Sequence, residues 1–193
     1  MKISITSAVR IISEKITEIY NIKGSVYVAI DGNCGAGKTT LAEYLAGLFK
    51  CNLFHMDDFY LTPEKRTAER LNEPGGNVDR ERFLSEVLVP LSRDEEVFYK
   101  VYDCSVQGFK EPVKITPERV VITEGSYSCH PELVGYYDLH IFLSASPEVQ
   151  MKRIIKRNGE EAYECFKNKW IPLEEKYFDA FKIKEKCELI FEI

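Results

Sequence analysis

The chain has 193 residues, of which 45% are hydrophobic and 30% are charged, and its formal net charge is −5. This composition is typical of a soluble globular protein, and the length suits a single domain. The acidic balance argues against a general nucleic-acid-binding protein, so an anionic substrate would have to be held by locally placed cations. No stretch reaches the roughly 20 apolar residues of a membrane span, and the N-terminus lacks the continuous apolar run of a signal peptide.

The cysteines indicate a reducing compartment and no metal-thiolate chemistry. They are scattered without a C-x-x-C pair, at Cys34, Cys51, Cys104, Cys129, Cys165 and Cys187. The three histidines, His55, His130 and His140, do not cluster with them, so no zinc site is expected and the histidines are interpreted as structural. We expect a cytoplasmic protein with reduced thiols.

The first elements are a helix and a strand. Apolar residues recur at helical spacing from Ile5 to Ile19 and predict an amphipathic helix that ends near Gly24. The segment SVYVAI then predicts a buried strand, which is followed by a glycine-rich turn and the helical pattern KTTLAEYLAGLFK. A second short strand, CNLFHM, ends at Asp57 and Asp58.

The middle of the chain is less regular. Polar residues, prolines and glycines from Leu61 to Asp79 predict a loop or excursion. A helix is expected from Arg80 to Leu91, and EEVFYKVYD predicts a strand. Two prolines and one glycine interrupt the stretch that follows, up to Pro117, and no element is assigned to it.

The C-terminal part returns to strands and helices. RVVITEG and YDLHIFLSA are buried-strand patterns, and Ser146 with Pro147 predicts a helix start. A charged segment from Glu148 to Lys186 predicts helices interrupted at 158–159 and at 171–172, before a final strand, CELIFEI. The alternation predicts one α/β domain over residues 1–193, with a mostly parallel sheet and helices on both faces. We expect residues 1–24 to form the N-terminal helix and residues of about 148–182 to form the C-terminal helices.

The glycine-rich turn carries the strongest functional signal. The segment from Gly32 to Thr39 fits the pattern G-x-x-x-x-G-K-[ST] between a strand and a helix. Glycines allow backbone amides to turn onto phosphate oxygens, Lys38 reaches the β- and γ-phosphates, and the Thr39 hydroxyl ligates Mg²⁺. The expected nucleotide-binding residues are Gly32, Asn33, Cys34, Gly35, Ala36, Gly37, Lys38, Thr39 and Thr40. The predicted fold is therefore the three-layer P-loop NTPase fold.

Further segments, in order, resemble the uridine kinase and phosphoribulokinase superfamily, in its bacterial uridine kinase-like branch. They are the D-x-F-Y-like element His55-Met-Asp-Asp-Phe-Tyr60, the stretch Pro74–Phe83, the strand end Val121–Tyr127, the pair Arg153-x-x-x-Arg157 and the stretch Trp170–Phe178. The resemblance covers roughly residues 25–193. It implies that the C-terminal helices, about 148–182, include a helical lid. It also implies ATP-dependent phosphorylation of a hydroxyl group, with Mg²⁺.

The resemblance and strand-end chemistry together suggest the catalytic residues. Asp57 and Glu124 both end strands, where ligands bind in open α/β sheets. By resemblance Asp57 is the general base, with Asp58 as its nearest rival. Glu124 is expected near Mg²⁺ with Thr39. Arg153 and Arg157 lie four residues apart on one helical face and would close over the phosphates as lid arginines; the alternative is a solvated basic face.

The acceptor side is less defined. The resemblance implies that Tyr60 lines the acceptor pocket, and Asp79 and Glu73 are candidate ligands for acceptor hydroxyls. Uridine kinases carry a histidine a few residues after a Tyr-Asp pair, but here Gln107 falls near that position. Uridine or cytidine is the leading acceptor, while other ribosides and pantothenate-like or glycerate-like acceptors stay open, as does the phosphate donor.

Two other classes of function are weaker. A nucleotide-dependent switch would need a guanine-reading N/T-K-x-D element, and the nearest segment, which begins at Asn168-Lys169, lacks the Asp. A catalytically inactive binding protein is disfavoured because Lys38, Thr39, Asp57 and Glu124 are all present. The expected partners are ATP/ADP and a small hydroxyl acceptor, with no nucleic acid and no membrane; the sequence leaves a homo-oligomer open.

Overall fold

A computed structural model describes all residues, 1–193, and its central element is a parallel sheet. The strand order is β2-β5-β1-β6-β7, and every neighbouring pair is parallel. The strands of this sheet are β1 (Val26–Gly32), β2 (Cys51–His55), β5 (Val120–Glu124), β6 (Leu139–Ser144) and β7 (Leu189–Glu192). The predicted sheet is confirmed, and its carboxyl edge carries the glycine-rich turn.

Helices cover both faces of the sheet. They are α1 (Ile5–Lys23), α2 (Lys38–Ala46), α3 (Ala68–Asn72), α4 (Arg80–Phe83), α5 (Val89–Ser92), α6 (Pro147–Asn158), α7 (Glu160–Cys165), α8 (Ile171–Phe181) and α9 (Ile183–Lys186). One apolar cluster joins α1 and α2 to the sheet, and a second joins the opposite face to α4, α5, α8 and α9. The layers are therefore helix, sheet, helix. No helix combines the length and the apolar character that crossing a membrane would require.

The termini of α1 follow from local chemistry. The Ser4 hydroxyl accepts a hydrogen bond from the backbone N–H of Ser7, and Gly24 closes the helix with φ 75°. Ser146 likewise accepts from the N–H of Val149 at the start of α6, followed by Pro147. The start of α6 at Ser146 and Pro147 and the end of α1 at Gly24 agree with the sequence prediction.

Three segments differ from the sequence prediction. The strand near 95–103 is β3 (Val97–Asp103), but it pairs with the unpredicted β4 (Gly108–Ile115) in a separate antiparallel hairpin. Pro112 and the charged residues of β4 are tolerated because β4 is a mostly exposed edge strand of a two-stranded ribbon.

The backbone also stays helical through 171–172, where an interruption was predicted. A π turn at Phe166–Trp170 leads directly into α8. Pro172 lies in the first turn of α8, where no backbone N–H is needed.

The excursion after β2 is partly helical. It contains a one-turn 3₁₀ helix at Met56–Phe59, another at Pro63–Lys65, and then α3. Two backbone links return the chain to the strand end: Asp79 N–H donates to Phe59 O at 2.7 Å, and Tyr60 forms a β-bridge with Val78. This excursion therefore forms a wall beside the carboxyl edge of the sheet.

Candidate functional site

The glycine-rich turn packs against β6 so closely that only glycine fits at its start. Gly32 has φ 134°, and a Cβ atom there would lie 1.8 Å from Leu143 O. Gly35 and Gly37 also have positive φ, at 70° and 98°. No side chain caps the N-terminus of α2, which follows directly. The turn thus presents a helix N-terminus suited to phosphate oxygens.

Lys38 is held across the turn. Its side chain is 8% exposed, and Nζ donates to Gly32 O at 2.7 Å and Asn33 O at 3.0 Å. Nζ also lies 3.2 Å from the Ser126 hydroxyl oxygen, on the loop after β5. A buried ammonium group with only neutral oxygens in contact is well placed to bind an incoming anion.

The side chains of Thr39 and Glu124 place two oxygen atoms next to each other. Thr39 Oγ1 donates to Glu124 Oε1 at 3.1 Å, and His55 Nδ1 lies 2.6 Å from the same oxygen. His55 and Glu124 end the paired strands β2 and β5 in register. The hydrogen bond to Glu124 raises the pKa of His55. No cluster of three or more His, Cys, Asp or Glu side chains forms a metal cage.

Asp57 and Asp58 face different surroundings. Asp57 lines the cavity, and Asp57 Oδ1 accepts a hydrogen bond from the Tyr60 hydroxyl at 2.9 Å. Asp58 does not line the cavity; burial raises its pKa, and its backbone oxygen accepts from the Arg82 guanidinium. The 3₁₀ turn after β2 thus directs one of the two adjacent carboxylates towards the phosphate loop.

A cavity of about 930 Å³ joins these groups. The residues suggested by the sequence that line it are Cys34, Gly35, Ala36, Gly37, Lys38, Thr39, Thr40, Asp57, Tyr60, Glu124, Arg153 and Arg157. A flatter depression of about 630 Å³ on the outer face of α1 contains none of them. We take the larger cavity as the candidate site, because pockets of this size enclose small ligands and the titratable groups converge there.

Arg153 and Arg157, the two arginines predicted to belong to a lid, have different surroundings. Arg153 Nη1 donates to Gly35 O and Ala36 O, both at 3.1 Å, so it already contacts the phosphate loop. Arg157 is exposed at the end of α6, with its guanidinium carbon 5.9 Å from the Phe166 ring. Both guanidinium groups line the cavity without a carboxylate partner.

Asp79 and Gln107 are not brought into the cavity. Asp79 is 2% exposed, caps α4 by accepting from Arg82 N–H, and accepts from Lys65 Nζ at 2.7 Å. Gln107 lies in the exposed turn of the β3–β4 hairpin with φ 51°. Glu73 pairs with Arg70 and Arg80. Gly32 and Asn33 do not line the cavity either; their carbonyl oxygens accept hydrogen bonds from Lys38 Nζ.

Glu174 is a site residue that sequence reasoning did not identify. It is 5% exposed on α8; Oε2 accepts from the backbone N–H of Cys34 at 2.9 Å, and Oε1 accepts from the Ser126 hydroxyl at 2.6 Å. The available signal was its position three and four residues before Tyr177 and Phe178, which are both buried. A carboxylate on the apolar stripe of a helix marks a specific polar contact.

Asp31 was also missed, although it stands in the apolar strand before the phosphate loop. It is fully buried and accepts from the N–H groups of Gly32, Tyr127 and Cys129 and from the Tyr177 hydroxyl. Burial raises its pKa to about 6. Asp31 therefore links the phosphate loop, the loop after β5 and α8.

No protein-family model matches the sequence, and no curated protein matches it. Solved structures do resemble it. A possible uridine kinase from Bacillus stearothermophilus has a TM-score of 0.64 and 19% identity, over 86% of this chain and 88% of its own. The putative fructose transport system kinase from Silicibacter sp. TM1040 has a TM-score of 0.71 and 20% identity, over 97% of this chain and 98% of its own.

A third similar structure comes from a eukaryote. YFH7 from Saccharomyces cerevisiae, a putative P-loop containing kinase with a circular permutation, has a TM-score of 0.69 and 12% identity, over 99% of both chains. At such low identities the likeness establishes the fold. This chain has the same three-layer α/β fold as these three structures.

Proposed function

We propose that this protein transfers the γ-phosphoryl group of ATP to a hydroxyl group of a small molecule. The observation that carries the proposal is one cavity lined both by the phosphate loop and by the Asp57–Tyr60 pair. A nucleotide-binding switch needs only the first of these features. A carboxylate beside the loop suits a protein that also activates an acceptor.

On the donor side, Lys38 and the loop amides bind the β- and γ-phosphates. Arg153 and Arg157 neutralise charge on the transferring group and, with α6, exclude water. Thr39 and Glu124 fit a Mg²⁺ ion, which prefers oxygen ligands and is commonly held by one or two protein groups together with substrate phosphates. When bound, the ion would offset the charge of the phosphates.

On the acceptor side, Asp57 accepts the hydroxyl proton. The Tyr60 hydroxyl occupies one position on Oδ1 and orients the carboxylate, leaving Oδ2 for the acceptor. The acceptor oxygen forms a bond to the γ-phosphorus as the bond from that phosphorus to the bridging oxygen of ADP breaks. Uridine or cytidine is the leading acceptor; other ribosides and pantothenate-like or glycerate-like molecules follow.

The proposal is tested by measuring ADP release with a panel of nucleosides and hydroxyl-bearing vitamins and acids. At least one acceptor should raise turnover above the background hydrolysis of ATP. Asp57→Asn should then lower kcat by about 10²–10⁴-fold, the usual contribution of a general base. The matched control is Asp58→Asn, which changes the neighbouring carboxylate outside the cavity and should retain most of the activity. Equal losses in both variants would refute the role of Asp57, and no stimulation by any acceptor would refute the kinase.

A further inference from the structure

Arginines outside the cavity are nearly all neutralised, whereas those inside it are not. The chain has nine arginines, and five of them form ion pairs with carboxylates: Arg10, Arg70, Arg80, Arg82 and Arg119. The other four are Arg66, Arg93, Arg153 and Arg157. Three of these four line the cavity, and only Arg93 does not. Unpaired guanidinium groups that converge on one cavity indicate anionic ligands.

Arg66 is separate from the two lid arginines. Arg153 and Arg157 lie on α6, and Arg153 contacts the phosphate loop. Arg66 lies on the excursion after β2, six residues beyond Tyr60, on the same wall as Asp57. The donor phosphates therefore account for the α6 pair, but they leave Arg66 without an assigned ligand.

The Arg66 guanidinium is oriented by its neighbours while part of it stays free. Its Nε donates to Leu61 O at 2.9 Å, and Nη2 lies 3.8 Å from Cys104 Sγ. Its Cζ lies 5.8 Å from the centre of the Tyr102 ring. Nη1 has no hydrogen-bond partner in the protein. A guanidinium group that is fixed at one edge and free at the other can bind an oxyanion at low entropic cost.

Asn77 adds a neutral hydrogen-bonding group to the same wall. Its side chain lines the cavity and makes no hydrogen bond within the protein. It is held beside Tyr60 because the next residue, Val78, forms a β-bridge with Tyr60. Arg70 fixes this segment by donating to Gly76 O and Val78 O. The wall thus combines a base, a free amide and an unpaired cation.

We infer that the acceptor carries a carboxylate or phosphate group and that Arg66, assisted by Asn77, binds this group while the acceptor hydroxyl faces Asp57. This inference rests on the proposed function and chooses among its acceptors: it favours anionic alcohols, such as hydroxy acids and sugar phosphates, over the neutral nucleosides that the sequence resemblance places first. The anionic group sets the orientation of the acceptor, because Arg66 and Asp57 attract opposite ends of it.

Matched acceptor pairs that differ in the anionic group test the inference. Glycerate is compared with glycerol, pantothenate with pantothenol, and ribose 5-phosphate with ribose; uridine and cytidine serve as neutral references. We expect the best anionic acceptor to exceed its neutral partner and both nucleosides in kcat/KM by about tenfold or more. Comparison of the glycerate and pantothenate pairs with the ribose 5-phosphate pair shows whether the site prefers a carboxylate or a phosphate. Faster turnover of the neutral acceptors would overturn the inference and leave the kinase intact.

Arg66→Gln should raise KM for the anionic acceptor by about 10–100-fold, the usual range for a lost hydrogen bond to a charged group. The KM for ATP, the KM for the neutral acceptors and the Tm should stay nearly unchanged. Arg66→Lys should recover part of the lost affinity for the anionic acceptor. Arg93→Gln is the matched control, because Arg93 is also unpaired but lies outside the cavity. An equal rise in KM for charged and neutral acceptors in Arg66→Gln would assign Arg66 a structural role only.

A binding measurement decides the anion site independently of turnover. With MgADP saturating the donor site, inorganic phosphate or malonate is added and Tm is followed. A rise in Tm in the wild type and in Arg93→Gln, but not in Arg66→Gln, supports the anion site even if no acceptor is phosphorylated. No rise in the wild type overturns it. Failure of the kinase proposal and failure of the anion site are therefore separate outcomes.

Discussion

The donor and acceptor halves of the cavity are built in different ways. The donor half is a nearly contiguous run, Cys34–Thr40, whose backbone conformation creates the site. The acceptor half combines the side chains of Asp57, Tyr60, Arg66 and Asn77 with the loop after β5. A backbone site demands particular residues at fixed spacing, whereas a side-chain site can be assembled from many sequences. This difference explains why phosphate binding leaves a motif and acceptor choice does not.

The halves also differ in how rigidly they are held. Lys38 is buried and contacts two loop carbonyl oxygens, while Asp57 and Arg66 are exposed to the cavity. Changes in the donor half should therefore affect folding, and changes in the acceptor half should affect mainly the selection of the acceptor. The variants that follow test this contrast in order of decreasing effect.

Gly32→Ala should have the largest effect, because it places a Cβ atom 1.8 Å from Leu143 O at φ 134°. We expect unfolding in urea to show a loss of more than about 4 kcal/mol, since backbone atoms of β6 must move. Gly24→Ala is the control: its φ is also positive, at 75°, but no atom lies within 4 Å of the added Cβ. It should cost only about 1–2 kcal/mol. Similar losses in the two variants would remove the argument for a rigid donor half.

Glu174→Ala tests whether α8 supports the phosphate loop. The change leaves the Cys34 N–H and the Ser126 hydroxyl without their carboxylate partner, so we expect a loss of about 2–4 kcal/mol in the free energy of unfolding. Affinity for MgATP should fall as well, because Ser126 also contacts Lys38. Glu175→Ala, on the exposed side of the same helix, should be nearly neutral. An unfolding curve for Glu174→Ala that overlays the Glu175→Ala curve would show that the contact contributes nothing.

The same contrast limits what the sequence could predict. The sheet and phosphate loop were predictable because strand periodicity and glycine spacing are local properties. Glu174, Ser126 and Asp31 act through contacts over long sequence separations, such as the 140 residues between Cys34 and Glu174. Asp79 is acidic and adjacent to the site in sequence, but capping α4 and pairing with Lys65 direct it away from the cavity. β4 was missed because Pro112 is tolerated in a ribbon edge.

His130, which packs against Tyr177 of α8, should make the stability of the fold sensitive to acid. It stacks on Tyr177, and its Nδ1 accepts from the N–H of Glu132. Burial lowers its pKa from 6.5 to about 4. Between about pH 4 and pH 6.5, His130 therefore binds a proton in the unfolded chain but not in the folded protein. The free energy of unfolding is highest above pH 6.5 and decreases as the pH falls towards 4. The expected loss in the free energy of unfolding is about 3 kcal/mol, because each unit of difference between the two pKa values corresponds to about 1.4 kcal/mol.

His130→Asn keeps a hydrogen-bond acceptor but cannot titrate. We therefore compare unfolding free energies of the wild type and this variant between pH 4 and 8. The difference between the two curves should change by about 3 kcal/mol across this range, with the wild type losing more on acidification. The opposite contribution of Asp31, whose pKa is raised to about 6, is common to both proteins and cancels. Parallel curves would show that His130 does not titrate in this range.

Tyr60→Phe should have the smallest effect and the most specific one. It removes the hydroxyl that donates to Asp57 Oδ1 at 2.9 Å but keeps the ring in the acceptor half. We expect kcat/KM for the acceptor to fall about 3–10-fold, roughly 1 kcal/mol, because the carboxylate loses one orienting hydrogen bond. KM for ATP and Tm should not change. Tyr102→Phe removes a buried hydroxyl that has no partner and does not line the cavity, so activity should be retained. If Tyr60→Phe altered KM for ATP as much as KM for the acceptor, the two halves would not be separable.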